Sequence, residues 1–270
     1  MDWKKTKTIL ILALALMNIF LIVIFLNNND NYQHNLSDEL MKVLETKGIL
    51  FEKKDYEFPN NLKRIYVDYN EYNKESVARR FLGNSYMKSN EVYLNKDYYF
   101  DITEDNTLTF TKRGVSLGEN KTTIDNSILI ANEFIESVGF LNDSVKLVGS
   151  KFVNDNIVLS YRKVVDDRFI EKSYMTIEIF NDQIVNFERK WLSHNIVDTG
   201  KNNIISFENA LYKFESKLKG KTDIVVKNVE LGYVLENDIF IQNIQSGEAF
   251  PYYKFYLDNG DEIYIEAIKN

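Results

Sequence analysis

The chain begins with an apolar run that is almost uninterrupted. Residues 8–26 contain one strongly polar side chain, Asn18, and follow Lys4, Lys5 and Lys7. A helix rises about 1.5 Å per residue, so this run covers about 28 Å, close to the hydrocarbon thickness of a bilayer. The pattern predicts a membrane-spanning helix. A cleaved signal peptide has an apolar core of about 7–15 residues followed by small residues at the cutting site. Ala13 and Ala15 have that spacing but lie inside the run, and the asparagines at 27–29 follow its end. An uncleaved anchor is therefore expected. No Lys or Arg follows the run until Lys42, which places residues 1–7 in the cytoplasm and the rest outside. Trp3, Lys4, Lys5 and Lys7 are the expected anchors at the membrane interface.

Beyond the run, residues 27–35 read as a polar tether. Leu36, Leu40, Val43, Leu44 and Lys47 then follow helical spacing up to Gly48. Strands are predicted over 49–53 and over 62–69, where Ile65 and Val67 alternate with polar positions. A short helix over 74–82 ends at Gly83, and strands at 91–94, 98–103 and 107–112 follow. These elements predict a first α+β domain over 36–118.

The remainder, 119–270, contains an internal repeat. "SILIANEFIESVG" starts at Ser127 and "SFENALYKFESKLKG" at Ser206, with Ala and Glu-Ser at matching offsets. Ile124, Ile128, Ala131, Ile135 and Val138 make one helical face. Phe207, Ala210, Leu211, Phe214 and Leu218 make its counterpart. Each helix is followed by strands and Asn/Asp turns, among them "NDNIVL" from Asn154 and "ENDIFI" from Glu236. Two similar helix-plus-meander units, about 124–192 and 204–268, are expected to pack as one domain. The overall fold class is α+β: one transmembrane helix followed by two extracytoplasmic domains of helices on antiparallel meander sheets.

Composition narrows the function. The chain has 270 residues and no cysteine, so no disulfide supports an outer domain. Without residues 1–26 it carries 30 basic and 39 acidic residues, a poor match for nucleic acid. Catalytic groups are sparse. His34 lies in the tether, and His194, after Ser193, has no motif around it. No metal-ligand spacing or phosphate loop is present, so no cofactor or metal is expected. Asp166-Asp167 and the group Asp258, Asp261 and Glu262 have the spacing of turns. No catalytic residue is assigned, and the chain is expected not to be an enzyme.

Asn18 sits near the middle of the predicted span, where a lone amide gains from a partner. Asn18, with Ala13 and Ala15 allowing close approach, is the candidate contact with a partner helix.

The residues "MDWKKTKTI", followed by "MNIFL" within the apolar run, resemble the start of the YycI (WalI) family. "LGY" at 231–233 and "YIEA" at 264–267 extend the likeness. Relatives have Pro-x-Trp before the closing strand, where this chain has Pro251-Tyr252-Tyr253. The resemblance implies a single-pass protein of the Gram-positive cell membrane that works with a YycH-like protein. Its implied role is to regulate an essential sensor histidine kinase, YycG (WalK), of cell-wall metabolism, partly through transmembrane helices. The alternative is an anchored extracytoplasmic enzyme or ligand-binding module acting on cell-wall material.

Overall fold

The computed structural model describes residues 3–69, 72–114, 121–235 and 246–269. It is a mixed α+β structure dominated by antiparallel sheet. Its contacts divide the chain into two compact units, one of residues 1–58, 205–229 and 254–265, the other of 59–204, 230–253 and 266–270.

The first unit begins with α1 (Trp3–Thr46), a continuous helix of 44 residues. The segment 27–35, expected as a tether, is therefore helical. It holds no Gly or Pro, and a helix already formed on both sides extends through polar residues at the gain of one hydrogen bond per residue fixed. Among the described side chains of α1, those of the last turns enter a core, through Leu40, Met41 and Leu44. Gly48, at φ +78°, then reverses the chain. Strand β1 (Ile49–Phe51) follows and pairs in parallel with the start of β12 (Ile224–Leu235). Helix α4 (Phe207–Leu218) packs on α1. Ser206 caps it by accepting a hydrogen bond from the Asn209 amide. Its apolar face is buried at Phe207, Ala210, Leu211, Phe214 and Leu218, the stripe that the sequence pattern predicts. Phe214 stacks on Phe255 with ring centres 4.1 Å apart and planes within 9°. Phe255 lies on the last part of β13 (Ser246–Leu257), which leads through a turn at Gly260 into β14 (Glu262–Glu266).

The second unit holds the larger core. Strand β2 (Asn61–Tyr69) lies between β11 (Leu192–Asn203) and the start of β13, antiparallel to both. Helix α2 (Lys74–Leu82) precedes the strands β3 (Met87–Ser89), β4 (Val92–Leu94), β5 (Tyr98–Ile102) and β6 (Leu108–Lys112). Helix α3 (Ile124–Ser137), capped by Thr123, precedes β7 (Val145–Val153), β8 (Asn156–Val165), β9 (Arg168–Phe180) and β10 (Gln183–Lys190). The antiparallel order runs β7-β8-β9-β10-β6-β5-β4-β3. Three hairpins turn on Asn154-Asp155, Asp166-Asp167 and Asn181-Asp182, each with both residues at positive φ. That is the geometry a two-residue hairpin requires, and Asn and Asp tolerate it best after glycine. α2 and α3 bury Val77, Ala78, Ala131 and Ile135 against Phe100, Leu108, Leu159, Ile177 and Phe187 of the strands.

The expected division at 118/119 runs through these pairings. β6 pairs with β10 at Phe110↔Phe187, and β2 pairs with β11 at Val67↔His194. The two repeat helices also fall in different compact units rather than together. Their elements nevertheless recur at nearly constant spacing. From Ile124 to Phe207 is 83 positions, from Val145 to Ile224 is 79, and from Gln183 to Glu262 is 79. The second copy's "ENDIFI" turn lies outside the described residues.

Gly232, in the "LGY" stretch, explains its own identity. A Cβ there would stand 2.4 Å from the Phe169 ring. β12 meets β9 in parallel at this point, through Gly232↔Phe169 and Tyr233↔Ile170.

Candidate functional site

Two features stand out from this framework. The first is the outer surface of α1. Every described side chain from residue 10 to residue 22 is exposed. They include Leu10, Ile11, Leu12, Leu14, Leu16, Met17, Ile19, Phe20, Leu21 and Ile22, each between 52% and 64% exposed. A soluble helix would keep an apolar stripe and a polar face; this stretch is apolar all round. Among the described residues no helix is long and apolar enough to cross a membrane. The described side chains of this run stop at residue 22, and those of 23–26 lie outside the description.

The expected contact residues sit within this stretch. Asn18 donates from Nδ2 to the Leu14 carbonyl at 2.9 Å. The helix itself thus satisfies one donor of the amide. Its second N–H and its Oδ1 have no partner among the described residues. Helix geometry separates the three candidates. At about 100° per residue, Ala15 lies about 60° from Asn18, while Ala13 lies about 140° away. Ile11, Ala15, Asn18 and Ile22 form one face, and Ala13 faces elsewhere. Trp3 and Lys7 are exposed, and the side chains of Lys4 and Lys5 are outside the described set.

The second feature was not read from the sequence. In the second unit, cations and aromatic rings alternate in a short ladder. The Arg80 guanidinium lies 5.6 Å from the Phe140 ring, and Arg189 lies 4.0 Å from Phe140 and 4.7 Å from Trp191. Lys163 closes the series 5.9 Å from Trp191. These separations are those of cation–π attraction, which strengthens as water is excluded. Arg189 is 3% exposed and Lys163 6%, whereas Arg80, on α2, is exposed.

Among the described residues the polar contacts of the ladder go to neutral oxygens. Arg80 donates to the Val138 carbonyl at the end of α3 at 3.2 Å, and Lys163 to the Leu192 carbonyl at 2.6 Å. Arg189 Nη1 donates to the Tyr72 hydroxyl, and Arg189 Nε has no partner among the described residues. Burial, joined by the nearby Arg189 charge, pushes Lys163 down to about 8. Burial likewise brings Arg189 down to about 10, with Arg80 adding repulsion and Tyr72 opposing it. His194 is also lowered, first by burial and then by Lys163. Lys190 beside Arg189 points the other way and meets Asp105 at 3.0 Å.

A sequence signal for this ladder existed. In strand β10 and just after it, Phe187, Arg189 and Trp191 are two residues apart, so all three point to one face. Tyr161, Lys163 and Val165 do the same in β8. A cation in phase with buried apolar neighbours is a core position, and that phase was available in the letters.

Of the acidic groups considered for chemistry, Asp166, Asp167 and Asp258 lie in turns and Asp261 follows one. Glu262, also expected in a turn, instead begins β14 because it continues the hairpin ladder, and it meets Lys254 at 2.9 Å. Asp166 and Asp167 form a hairpin, with Asp166 bonded to Lys63 at 2.8 Å and Asp167 3.6 Å from Lys146. Asp105 accepts from Thr103 and Thr107 and pairs with Lys190, contacts that bring its carboxyl down to about 2. Among the described residues no group of three or more His, Cys, Asp and Glu could hold a metal ion.

No family model matches the chain, and no curated protein matches it. Two solved structures are similar in part. The Bacillus megaterium YpeB C-terminal domain is 17% identical with a TM-score of 0.38, over 75% of this chain and 99% of that one. An uncharacterized protein from Eubacterium rectale is 11% identical with a TM-score of 0.46, over 82% of this chain and 87% of that one. Neither is near enough in shape to carry an argument about this chain.

Proposed function

We propose that this chain is a membrane-anchored, non-enzymatic regulator of a sensor histidine kinase of the YycG (WalK) kind, acting with a YycH-like partner. Residues 1–7 are cytoplasmic in this reading, residues 8–26 span the membrane, and the rest is extracellular. The observation that carries it is the apolar collar of α1, exposed on all sides and joined by unbroken helix to a buried seat at Leu40, Met41 and Leu44. Lipid is the solvent in which such a collar is stable. The likeness of the first 26 residues to the YycI family supplies the partner.

Membrane pairing tests the reading. Asn18→Leu removes the polar cost of insertion, so the protein stays in the membrane. It should weaken association with the kinase or the YycH-like protein by about five- to thirtyfold in a membrane two-hybrid or crosslinking assay. Ala15→Leu, on the Asn18 face, should also weaken pairing, and Ala13→Leu should not. Equal pairing by all three variants and the parent would sink the proposal. A soluble, shortened product in the medium would sink the anchor itself. An outer-face ligand-binding module is the second reading, and the ladder is the observation in its favour. Exchange of residues 1–26 for an unrelated span separates the two: a regulator working through its helix loses function, while a ligand-binding module retains it.

A further inference from the structure

The ladder differs from the ion-paired cations of its unit. Lys63, Arg64, Arg162 and Lys190 each meet a carboxylate within 3.0 Å. Arg80, Arg189 and Lys163 meet none among the described residues, although two of them are buried. Removing a cation from water without an anionic partner is costly, and a cation–π contact returns only part of that cost. Three such cations on successive rings leave a local excess of positive charge in a chain whose net charge is −7.

The geometry limits where compensation can enter. Phe140 and Trp191 lie against Arg189 at 4.0 and 4.7 Å, so ring surface already contacts the guanidinium, and an anion is left its N–H donors. Guanidinium carries five N–H donors in one plane, a fork matched to carboxylate and phosphate oxygens. One donor is taken by the Tyr72 hydroxyl, a neutral oxygen on a half-buried side chain. Nε has no acceptor among the described residues. Arg80 stands exposed at the solvent end of the same ladder, 5.6 Å from Phe140.

We propose that the Tyr72 hydroxyl holds the place of an oxyanion, and that the Arg189–Arg80 end of the ladder binds a phosphate or carboxylate group. Tyr72 swings off Arg189 as the anion arrives, and the anion's oxygens take the Nη1 and Nε donors while Arg80 supplies the outer charge. At the same donors an ion pair replaces a bond from a cation to a neutral oxygen, and the added Coulomb attraction is strengthened where water is excluded.

Trp191 reports on the site from within it. The chain has two tryptophans, Trp3 and Trp191, so Trp3→Phe leaves Trp191 as the sole indole. The full-length Trp3→Phe protein in detergent is titrated with inorganic phosphate, with acetate, and with chloride at matched ionic strength. Trp191 emission should change saturably with phosphate or acetate and not with chloride. Preference for phosphate identifies a phosphate-bearing ligand, and preference for acetate a carboxylate-bearing one. Arg80→Gln, at an exposed position, should weaken the response about tenfold. Tyr72→Phe keeps the ring and removes the competing oxygen, so it should tighten binding about two- to fivefold. Circular dichroism checks that both variants are folded. No saturable response beyond that of chloride overturns the proposal, as does a response that neither substitution alters.

Discussion

The segments that begin at α3 and at α4, expected from the sequence to be two copies of one unit, differ most in what they pack against. α3 buries Ala131 and Ile135 in a core shared with α2, the strands of residues 92–112 and its own following strands. α4 buries Phe207, Ala210, Leu211, Phe214 and Leu218, and its companions are the last turns of α1 and the short strand β1. The same motif thus serves two ends. One copy roots the N-terminal helix, and the other holds a column of cations between rings. The chain between the apolar run and the repeat is shared between them, with the change of side at Pro59. A repeated unit fixes its own helix face by its apolar spacing, while the neighbour covering that face is free to diverge.

The largest test of this contrast removes one ring from each core. Phe214 and Phe187 are both fully buried. Phe214→Ala and Phe187→Ala should each cost about 3–5 kcal/mol. Hydrogen exchange should show Phe214→Ala deprotecting α4 and β14 first, and Phe187→Ala deprotecting α3 and β10 first. Equal deprotection of both units by either substitution would mean that they open as a single cooperative body, and the comparison would lose its basis.

A smaller effect belongs to the ladder alone. Lys163 ionises at about 8 in the folded protein, against 10.5 for the ordinary side chain, with Arg189 and His194 as its charged or titrating neighbours. The unfolded chain therefore binds more protons between those values. Stability should rise with pH across that window, by up to about 3 kcal/mol from this group. Urea denaturation of the full-length protein in detergent between about pH 7.5 and about pH 9.5 measures the slope. Lys163→Met should flatten it. A slope that survives in Lys163→Met would place its origin outside the ladder.

The smallest test asks whether the copies still begin alike. Thr123 and Ser206 each accept a hydrogen bond from an amide three residues on, Asn126 or Asn209. Thr123→Ala and Ser206→Ala should each cost about 1 kcal/mol in denaturant titrations. A large inequality would show that the different surroundings have made one helix start dispensable.

Much of this fold was legible in the letters, and the illegible parts share a physical cause. The stripe on α4 and the turns at 154–155, 166–167 and 181–182 follow from local rules, since period and backbone conformation are set by nearby residues. The pairing of β2 with β11, Val67 opposite His194, joins segments more than a hundred positions apart. Alternation says which side of a strand is buried and nothing about which strand lies beside it. The helical continuity of 27–35 was misread for a related reason, since asparagine-rich sequence suggests a break that flanking helix overrides. Of the candidate site, Asn18 and Ala15 share a face and Ala13 does not, a fact that helix geometry alone decides. The ladder needed only the phase of Lys163 and Arg189 within their strands.

The unbroken course of α1 has a further consequence. Its 44 residues make a rod of about 66 Å, and the azimuth of Asn18 about the rod's axis is locked to that of Leu40, Met41 and Leu44. One residue inserted within 27–35 would turn Asn18 by about 100° relative to that seat. Seven inserted residues would bring it back to within about 20° while lengthening the rod by about 10 Å. Under the regulatory role proposed above, the effect of an insertion series should oscillate with the helical period rather than decay steadily with length, because a continuous helix couples the azimuths of its two ends.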